Sequence, residues 1–502
     1  MHYSKPANGL TPEVKRVAFV TVFGAIASML DSTVVNVAVH SLSVNLHSDL
    51  GTVQWVLTGY LLALAAVIPV TGWAARRVGD KTLYLSTLAL FTVGSVLCAS
   101  AHTVGQLTAF RIVQGLGGGM LLPAGQIMLT KLAGPQNMPR VMAIVGVPAV
   151  LTPVLGPTIG GLLLDGPGWR WIFLINVPIC AISLILGLRL LPADTRADAG
   201  RFDYLGLVLA STGLVALTYG LTQIGTRDSG SRTVWILVAG GALMALFVIR
   251  ALRIDYPLLD MRLYRNPVFG AASLAIFCLG GAMYGAMILM PLYFQTVRGE
   301  SAFATGLLLI PGGVGAAAAM WMGGRFTERW GGGVVATVGA VVAIVTTLPF
   351  VAMTDRSSYA YLLIAMGVRG LAVGLSIMPA MSAAYQALRN DEINDATPQL
   401  NVLQRVGGSI GTAIVAVALQ HQLTHGGHST HAVAAGFGVT FWWVVGISVV
   451  AAAAAIGLAA VERIARRHEH RDTERDSSPR PKDGDQALPS TATPVSDHMA
   501  QQ

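Results

Sequence analysis

The sequence predicts an all-α integral membrane protein: two bundles of six helices joined by two additional helices, fourteen transmembrane helices in all. Three observations carry this. The 502-residue chain is 53% hydrophobic and only 12% charged, against roughly 25% charged in soluble domains. Its apolar residues come in runs of about 20, the length at which a helix rising 1.5 Å per residue crosses a hydrocarbon core of about 30 Å. The runs also group as six, two and six, separated by short polar loops.

In chain order, runs near 17–40, 52–72, 83–101, 105–131, 140–163 and 171–191 build a first bundle over 17–191. The stretch 192–266 is a linker carrying the seventh and eighth helices, near 203–225 and 233–250, bracketed by the polar connections 192–202 and 251–266. Runs near 267–295, 303–323, 332–353, 359–386, 399–420 and 434–460 build a second bundle over 267–460. Residues 1–16 are polar, and the first run is too long for a signal-peptide core, so it is expected to stay as a span. From 461 to 502 the chain turns to Arg, His, Asp, Ser and Pro, a composition expected to leave a disordered tail.

The net charge of +8 points to orientation and not to nucleic acid, because the basic residues sit in the short loops. Loops on the amino-terminal side hold eighteen Lys and Arg, Lys5, Lys15, Arg16, Arg76, Arg77, Lys81 and Arg196 among them; opposite loops hold only Arg170, Arg227, Arg232, Arg298 and Arg356. This bias places both termini in the cytoplasm. Cys98, Cys180 and Cys278 all lie in apolar runs and read as small hydrophobes. No Gly-x4-Gly-Lys-Ser/Thr segment is present, which argues against an ATP-driven pump, and nothing suggests an enzyme.

The two bundles repeat each other. Gly72-Trp-Ala-Ala-Arg76-Arg77-Val-Gly79 follows the second helix and Gly324-Arg-Phe-Thr-Glu328-Arg329-Trp-Gly331 the tenth. Gly115 to Gly119 with Pro123 is echoed by Gly370 to Gly374 with Pro379. Repeated halves around a midplane site are how many secondary transporters are built.

Asp31 stands in the otherwise apolar segment Met29-Leu-Asp-Ser-Thr-Val-Val-Asn-Val-Ala-Val39. An ionisable group in hydrocarbon costs roughly 2.5–3.5 kcal/mol on insertion scales, so such a residue normally faces a cavity or a partner. Arg111, in Arg111-Ile-Val-Gln114-Gly115 of the fourth run, lies within about 5 Å of the same depth at 1.5 Å per residue, close enough to bridge. The guanidinium favours the ionised acid and desolvation the protonated one, so proton and cargo can compete for the balance. Asp31 and Arg111 are therefore the expected proton-coupling pair. Two blander readings stay open: an Asp tied structurally to a neighbouring helix, and an Arg bonded to backbone carbonyls.

Asn36, Gln114 and Arg369 are expected to line a substrate cavity; Arg369 has no acidic partner in the second bundle, which leaves carbonyls, Gln399, Gln404 or a ligand anion. Arg405 reads as a snorkelling residue near the cytoplasmic end of its run. The turn with Gly72, Arg76, Arg77 and Gly79 suits a gating loop, or topology anchoring alone. Pro153, Gly156, Pro157, Gly160 and Gly161 suggest a hinge in which prolines kink the helix and glycines permit close contact. His421, His425, His428 and His431 have spacings that suit a metal on one helical face, or a solvated loop.

Together these segments, with Trp169-Arg-Trp-Ile-Phe-Leu-Ile-Asn176-Val-Pro178, resemble the 14-helix drug:proton antiporter branch of the major facilitator superfamily, the EmrB/QacA type, over about 19–460. The resemblance implies the major facilitator fold and export of amphipathic drugs or metabolites by alternating access from a bacterial inner membrane. The proton gradient would replace any cofactor, and a periplasmic adaptor stays an open partner. It also implies that Asp31 is the protonation site, Arg111 its modulator and the fifth-helix segment a leak-tight hinge. The family's loop carries Asp where this chain has Arg76, and a glycine where it has Thr152. A dedicated exporter of one metabolite or antibiotic, or a non-transporting scaffold, are the rival functions. As the single mid-membrane carboxylate, Asp31 implies one titrating site per cycle and a preference for neutral or monocationic cargo. The reading requires Asp31 to reach a water-accessible cleft between the bundles.

Overall fold

The computed structural model describes residues 10–194, 199–223, 230–425 and 429–477, without the side chains of some helical residues, Pro153 and Pro157 among them. Lys5, Arg196, Arg227, His428 and the tail beyond Ser477 lie outside the described residues.

The first bundle comprises α1 (Pro12–Asn45), α2 (Gly51–Val78), α3 (Asp80–Ala99), α4 (Val104–Ala133), α5 (Met138–Asp165) and α6 (Trp171–Leu190). The added pair is α7 (Tyr204–Gln223) and α8 (Ser231–Arg253). The second bundle comprises α9 (Pro267–Thr296), α10 (Ala302–Trp330), α11 (Gly332–Val351), α12 (Tyr359–Gln386), α13 (Ile393–His425) and α14 (Thr430–Ser477). Among the described residues thirteen of these contain a window apolar enough to span a bilayer. The fourteenth, α5, is a 28-residue helix whose charges, Arg140 and Asp165, lie near its two ends.

The helices start where short polar side chains satisfy their free N–H groups. Thr11 caps α1, Thr103 caps α4, Ser301 caps α10, and Asn266 caps α9 just ahead of Pro267. α3 and α11 are capped by a device that repeats between the halves. Gly79 and Gly331, with φ of 95° and 93°, turn the chain sharply, a conformation open to glycine. In each half a carboxylate from the sixth helix or the residues just beyond it then closes the cap. Asp194 accepts from the N–H of Lys81 (2.8 Å) and Thr82 (3.3 Å), and Glu462 from those of Gly332 (3.2 Å) and Gly333 (2.6 Å).

Small residues set the helix spacing. A Cβ on Gly407 would stand 2.0 Å from the Phe277 carbonyl oxygen, and one on Gly411 2.1 Å from that of Gly281, so α9 and α13 touch backbone to backbone. Gly315 and Gly370 do the same for α10 and α12. Such seams replace hydrophobic drive, which lipid does not supply. α5 lies along α10 from Thr158 beside Gly306 to Pro139 beside Gly324, joining the bundles. The pair α7–α8 packs on α2 through Ser211, which donates to the Ala66 carbonyl at 2.6 Å, and through Tyr219 stacked on Trp55.

Residues 10–462 belong to one compact unit. The helical backbone continues to Ser477, where a disordered tail was expected from 461. Residues 461–477 contain neither Pro nor Gly and are rich in Arg and Glu, good helix formers that propagate the preceding span. We expect Gly407→Ala to cost about 1–3 kcal/mol through overpacking, read as a lower unfolding temperature of the purified protein. Gly446→Ala, where a Cβ meets nothing within 4 Å, is expected to leave it unchanged.

Candidate functional site

Asp31 sits in α1 with its side chain wholly enclosed, as is that of Arg111 in α4. Arg111 Nη1 donates to Asp31 Oδ2 at 2.5 Å. The other carboxylate oxygen accepts from Gln114 Nε2 at 2.9 Å and from Asn176 Nδ2 of α6 at 2.8 Å. A second layer holds these donors. Gln114 Nε2 also donates to Ser95 Oγ of α3 at 2.6 Å, and its Oε1 accepts from Arg111 Nη1 at 2.7 Å. Arg111 Nε donates to the Val56 carbonyl of α2 at 3.3 Å, and the guanidinium carbon lies 3.9 Å from the Tyr60 ring centroid, a cation–π contact. Arg111 Nη2 and Asn176 Oδ1 have no hydrogen-bond partner among the described residues.

The pairing expected from matched depth is therefore present, with Gln114 inside it and not in a substrate cavity. Placement of Asp31 differs from expectation. The cleft between the bundles is lined by Met29, Gln126, Met283, Tyr284, Asn401 and Arg405, among others. Asp31 does not line it. Its free volume of about 50 Å³ holds a few waters. Met29 reaches the cleft, but Asp31, two residues on, points into the first bundle, where three donors saturate it. Asn36 is exposed and its Nδ2 donates to Ser32 O at 3.3 Å within α1; among the described cavities none is lined by it.

The basic turn bridges the halves. Arg76 Nη1 lies 2.7 Å from Asp395 Oδ2 at the start of α13, and a Cβ on Gly72 would stand 2.2 Å from the Asn394 carbonyl oxygen. Two further links join the bundles toward the same membrane face: Arg140 with Glu328 at 2.6 Å, and Asn401 Nδ2 donating to Gln126 Oε1 at 2.7 Å. Arg77 is exposed, and Gly79 packs against the Asp194 carboxylate.

In α5, Gly156 and Gly160 face α1: a Cβ on Gly156 would stand 2.1 Å from Thr33 Oγ1, and one on Gly160 3.2 Å from Val34 Cγ1. Gly161 faces α10 near Phe303, and Pro153 and Pro157 fall within the continuous helix. Thr152 is buried, donates to Pro148 O at 2.5 Å, and its own carbonyl accepts from Thr33. The stretch proposed as a hinge thus packs directly against the helix that carries Asp31.

Arg369 Nε donates to Thr347 Oγ1 at 3.3 Å and lines a small cavity with Met283, Ser376 and Ser448. Arg405 does not snorkel. α13 begins at Ile393, six residues before the apolar run, which puts Arg405 about 18 Å along the helix at 1.5 Å per residue, in the wall of the cleft. Among the outer histidines, His431 Nδ1 lies 2.9 Å from Asp355 Oδ1. That hydrogen bond, its largest influence, holds the Asp355 carboxyl below its usual range. Among the described residues no group of three or more His, Cys, Asp and Glu could hold a metal. Asn176 and Ser95 were not anticipated as site residues; a polar amide at the head of an apolar run was the available signal.

Two repeated bundles closing on a shared cleft, with a buried charge pair beside it, define a multi-pass membrane transporter. The chain belongs to the Major Facilitator Superfamily, whose family model matches residues 21–412. It is 39% identical over 415 residues to a multidrug resistance protein B homolog of Mycobacterium tuberculosis (strain ATCC 25618 / H37Rv), covering 82% of this chain and 77% of that protein. It is 31% identical over 401 residues to a methylenomycin A resistance protein of Streptomyces coelicolor, covering 79% and 84%. The fold matches the proton:xylose symporter XylE with a TM-score of 0.60 at 15% identity, covering 88% of this chain and 94% of that one.

If the Arg76–Asp395 pair holds the two halves together, Arg76→Asp sets two carboxylates face to face and weakens closure, whereas Arg76→Asp with Asp395→Arg restores it. A double-mutant cycle on thermal stability is expected to return a coupling of roughly 0.5–3 kcal/mol; additive effects would remove this pair from the gate.

Proposed function

We propose that the chain is a proton-coupled exporter of amphipathic small molecules, working by alternating-access antiport in a bacterial cytoplasmic membrane with both termini in the cytoplasm. Family membership and the drug-resistance names of its relatives support the exporter part of this reading. The coupling part rests on one observation, the enclosed Asp31 held by Arg111, Gln114 and Asn176.

In this arrangement the carboxylate accepts three hydrogen bonds and donates none. A proton on it would remove the countercharge of Arg111 and turn one acceptor into a donor, so the network would have to rearrange across α1, α3, α4 and α6. Opening a buried pair by removing one charge costs about 3–5 kcal/mol, enough to bias a two-state bundle. In this conformation the site is shut from the cleft, against the water access the reading requires, so the coupling part of the proposal depends on a second conformation in which water reaches Asp31. The hinge supports such a change: Gly156 and Gly160 let α5 lie against α1 on either side of Thr33, two residues beyond Asp31. Breaking the Arg76–Asp395, Arg140–Glu328 and Gln126–Asn401 links would open the opposite side.

The expected preference for neutral or monocationic cargo followed from counting carboxylates. Its cationic half loses support here, because the charged residue of the described cleft is Arg405. A dedicated exporter of one metabolite or antibiotic fits the same geometry.

Proteoliposomes containing the parent and Asp31→Asn test the coupling. We expect substrate-driven proton movement to vanish in the variant while exchange of labelled against unlabelled substrate persists. Undiminished proton movement would take Asp31 out of the mechanism.

A further inference from the structure

The two bundles differ in how their membrane-embedded arginines are neutralised. In the first, Arg111 has Asp31. In the second, α9, the counterpart of α1, carries no acidic residue. Arg369 then has only the Thr347 hydroxyl among the described residues, and Arg405 has no hydrogen bond or ion pair there. Arg369 lies ten residues into α12 from Tyr359, about 15 Å at 1.5 Å per residue, so both guanidinium groups stand near mid-depth. An unneutralised cation there is expensive, and its natural partner is an anion that comes and goes.

Both side chains line cavities, and these cavities share Met283, Val373 and Ile377 as walls. Around Arg405 the lining is otherwise rich in methionine: Met29, Met283, Met320, Met378 and Met381. Methionine is flexible and polarisable, and it adapts to apolar bodies of varied shape. Ser376 and Ser448 add hydroxyl groups beside Arg369. Aligned on Gly115 and Gly370, Arg369 occupies the place of Gln114, the residue that in the first bundle donates to a carboxylate.

We infer that the cleft, opened beyond the few waters it holds in this conformation, receives amphipathic organic acids, with Arg405 and Arg369 holding the carboxylate or comparable anionic group while the apolar body lies against the methionine wall. This rests on the exporter reading and names the substrate class of its cleft. It does not depend on Asp31 carrying the proton. A monocation would meet two positive charges and no described countercharge. A dication fares worse.

The test is equilibrium binding to the full chain in nanodiscs, with no proton gradient. The probes are 6-(2-naphthyl)hexanoate, its primary amide and the corresponding amine. The acid is expected to bind about tenfold or more tighter than the other two, tenfold corresponding to about 1.4 kcal/mol. Arg405→Gln should abolish that preference and leave the amide unchanged, and Arg405→Lys should keep it in part. Arg369→Gln should weaken the acid alone. An amine that binds as well as the acid, or an acid indifferent to both Gln variants, would overturn the proposal. So would chloride raising the unfolding temperature through Arg405 while the acid binds no better than its amide, because the cleft would then hold an inorganic ion only. Undiminished proton coupling in Asp31→Asn with acid binding intact would sink the coupling mechanism and leave this inference standing.

Discussion

A carboxylate and a guanidinium withdrawn completely from water constrain most of the first bundle. Such a pair stabilises only when each remaining hydrogen-bonding group finds a partner, because desolvation of two ions rivals their attraction. The carboxylate meets that condition with Arg111, Gln114 and Asn176 drawn from two other helices, whereas the guanidinium leaves Nη2 without a partner among the described residues; the donors reach Asp31 because the helices are unusually close. A Cβ on Gly94 would stand 2.6 Å from the Gln114 Cα, and one on Gly115 2.7 Å from the Tyr60 carbonyl oxygen. These glycines of α3 and α4 are therefore part of the ion-pair site, since they bring α2 and α3 near enough to α4 for Tyr60 and Ser95 to complete it.

Much of this was readable from the chain, and the limits have physical causes. Depth in a membrane follows from residue count along a helix, so the meeting of Asp31 and Arg111 could be anticipated. Rotation about the helix axis does not follow so simply, because a span buried among neighbours is apolar on most sides; hence Asp31 was expected to face the cleft that Met29 faces instead. Asn176 lies 145 residues from Asp31, so its amide, though visible in an apolar run, carries no mark of the partner it meets. Arg405 was misplaced because Asn394, Asp395 and Gln399 interrupt the apolar pattern at the start of α13. Asp395 is polar because it pairs with Arg76 of the first bundle, and the Gln399 amide donates to the Asp260 carbonyl of the linker, so the helix runs through them.

The internal repeat explains where the halves agree and where they diverge. Each bundle uses the same glycine turn, and each caps its third helix with a carboxylate from its sixth helix or just beyond it. These shared devices concern folding and hold both halves to one architecture. The arginines of α4 and α12–α13 concern charge, and there the symmetry fails: one bundle neutralises its guanidinium internally and the other does not. On the reading proposed above, a duplicated fold that keeps its packing and differs in its buried charge divides the work, the first half holding the proton and the second what is exported.

The charge on the cargo also decides which part of the proton motive force the exchange can use. One proton entering against one monocation leaving moves no net charge, so only the pH difference drives the cycle. The same proton entering against a neutral molecule moves one charge, and against a monoanion two, because the departing anion and the arriving proton both carry current inward. Each charge is worth about 2.3 kcal/mol per 100 mV of potential, so an anion exporter with a single proton site draws about twice that from the potential alone. One enclosed mid-membrane carboxylate among the described residues, a meagre supply of protons for expelling cations, is sufficient for expelling acids.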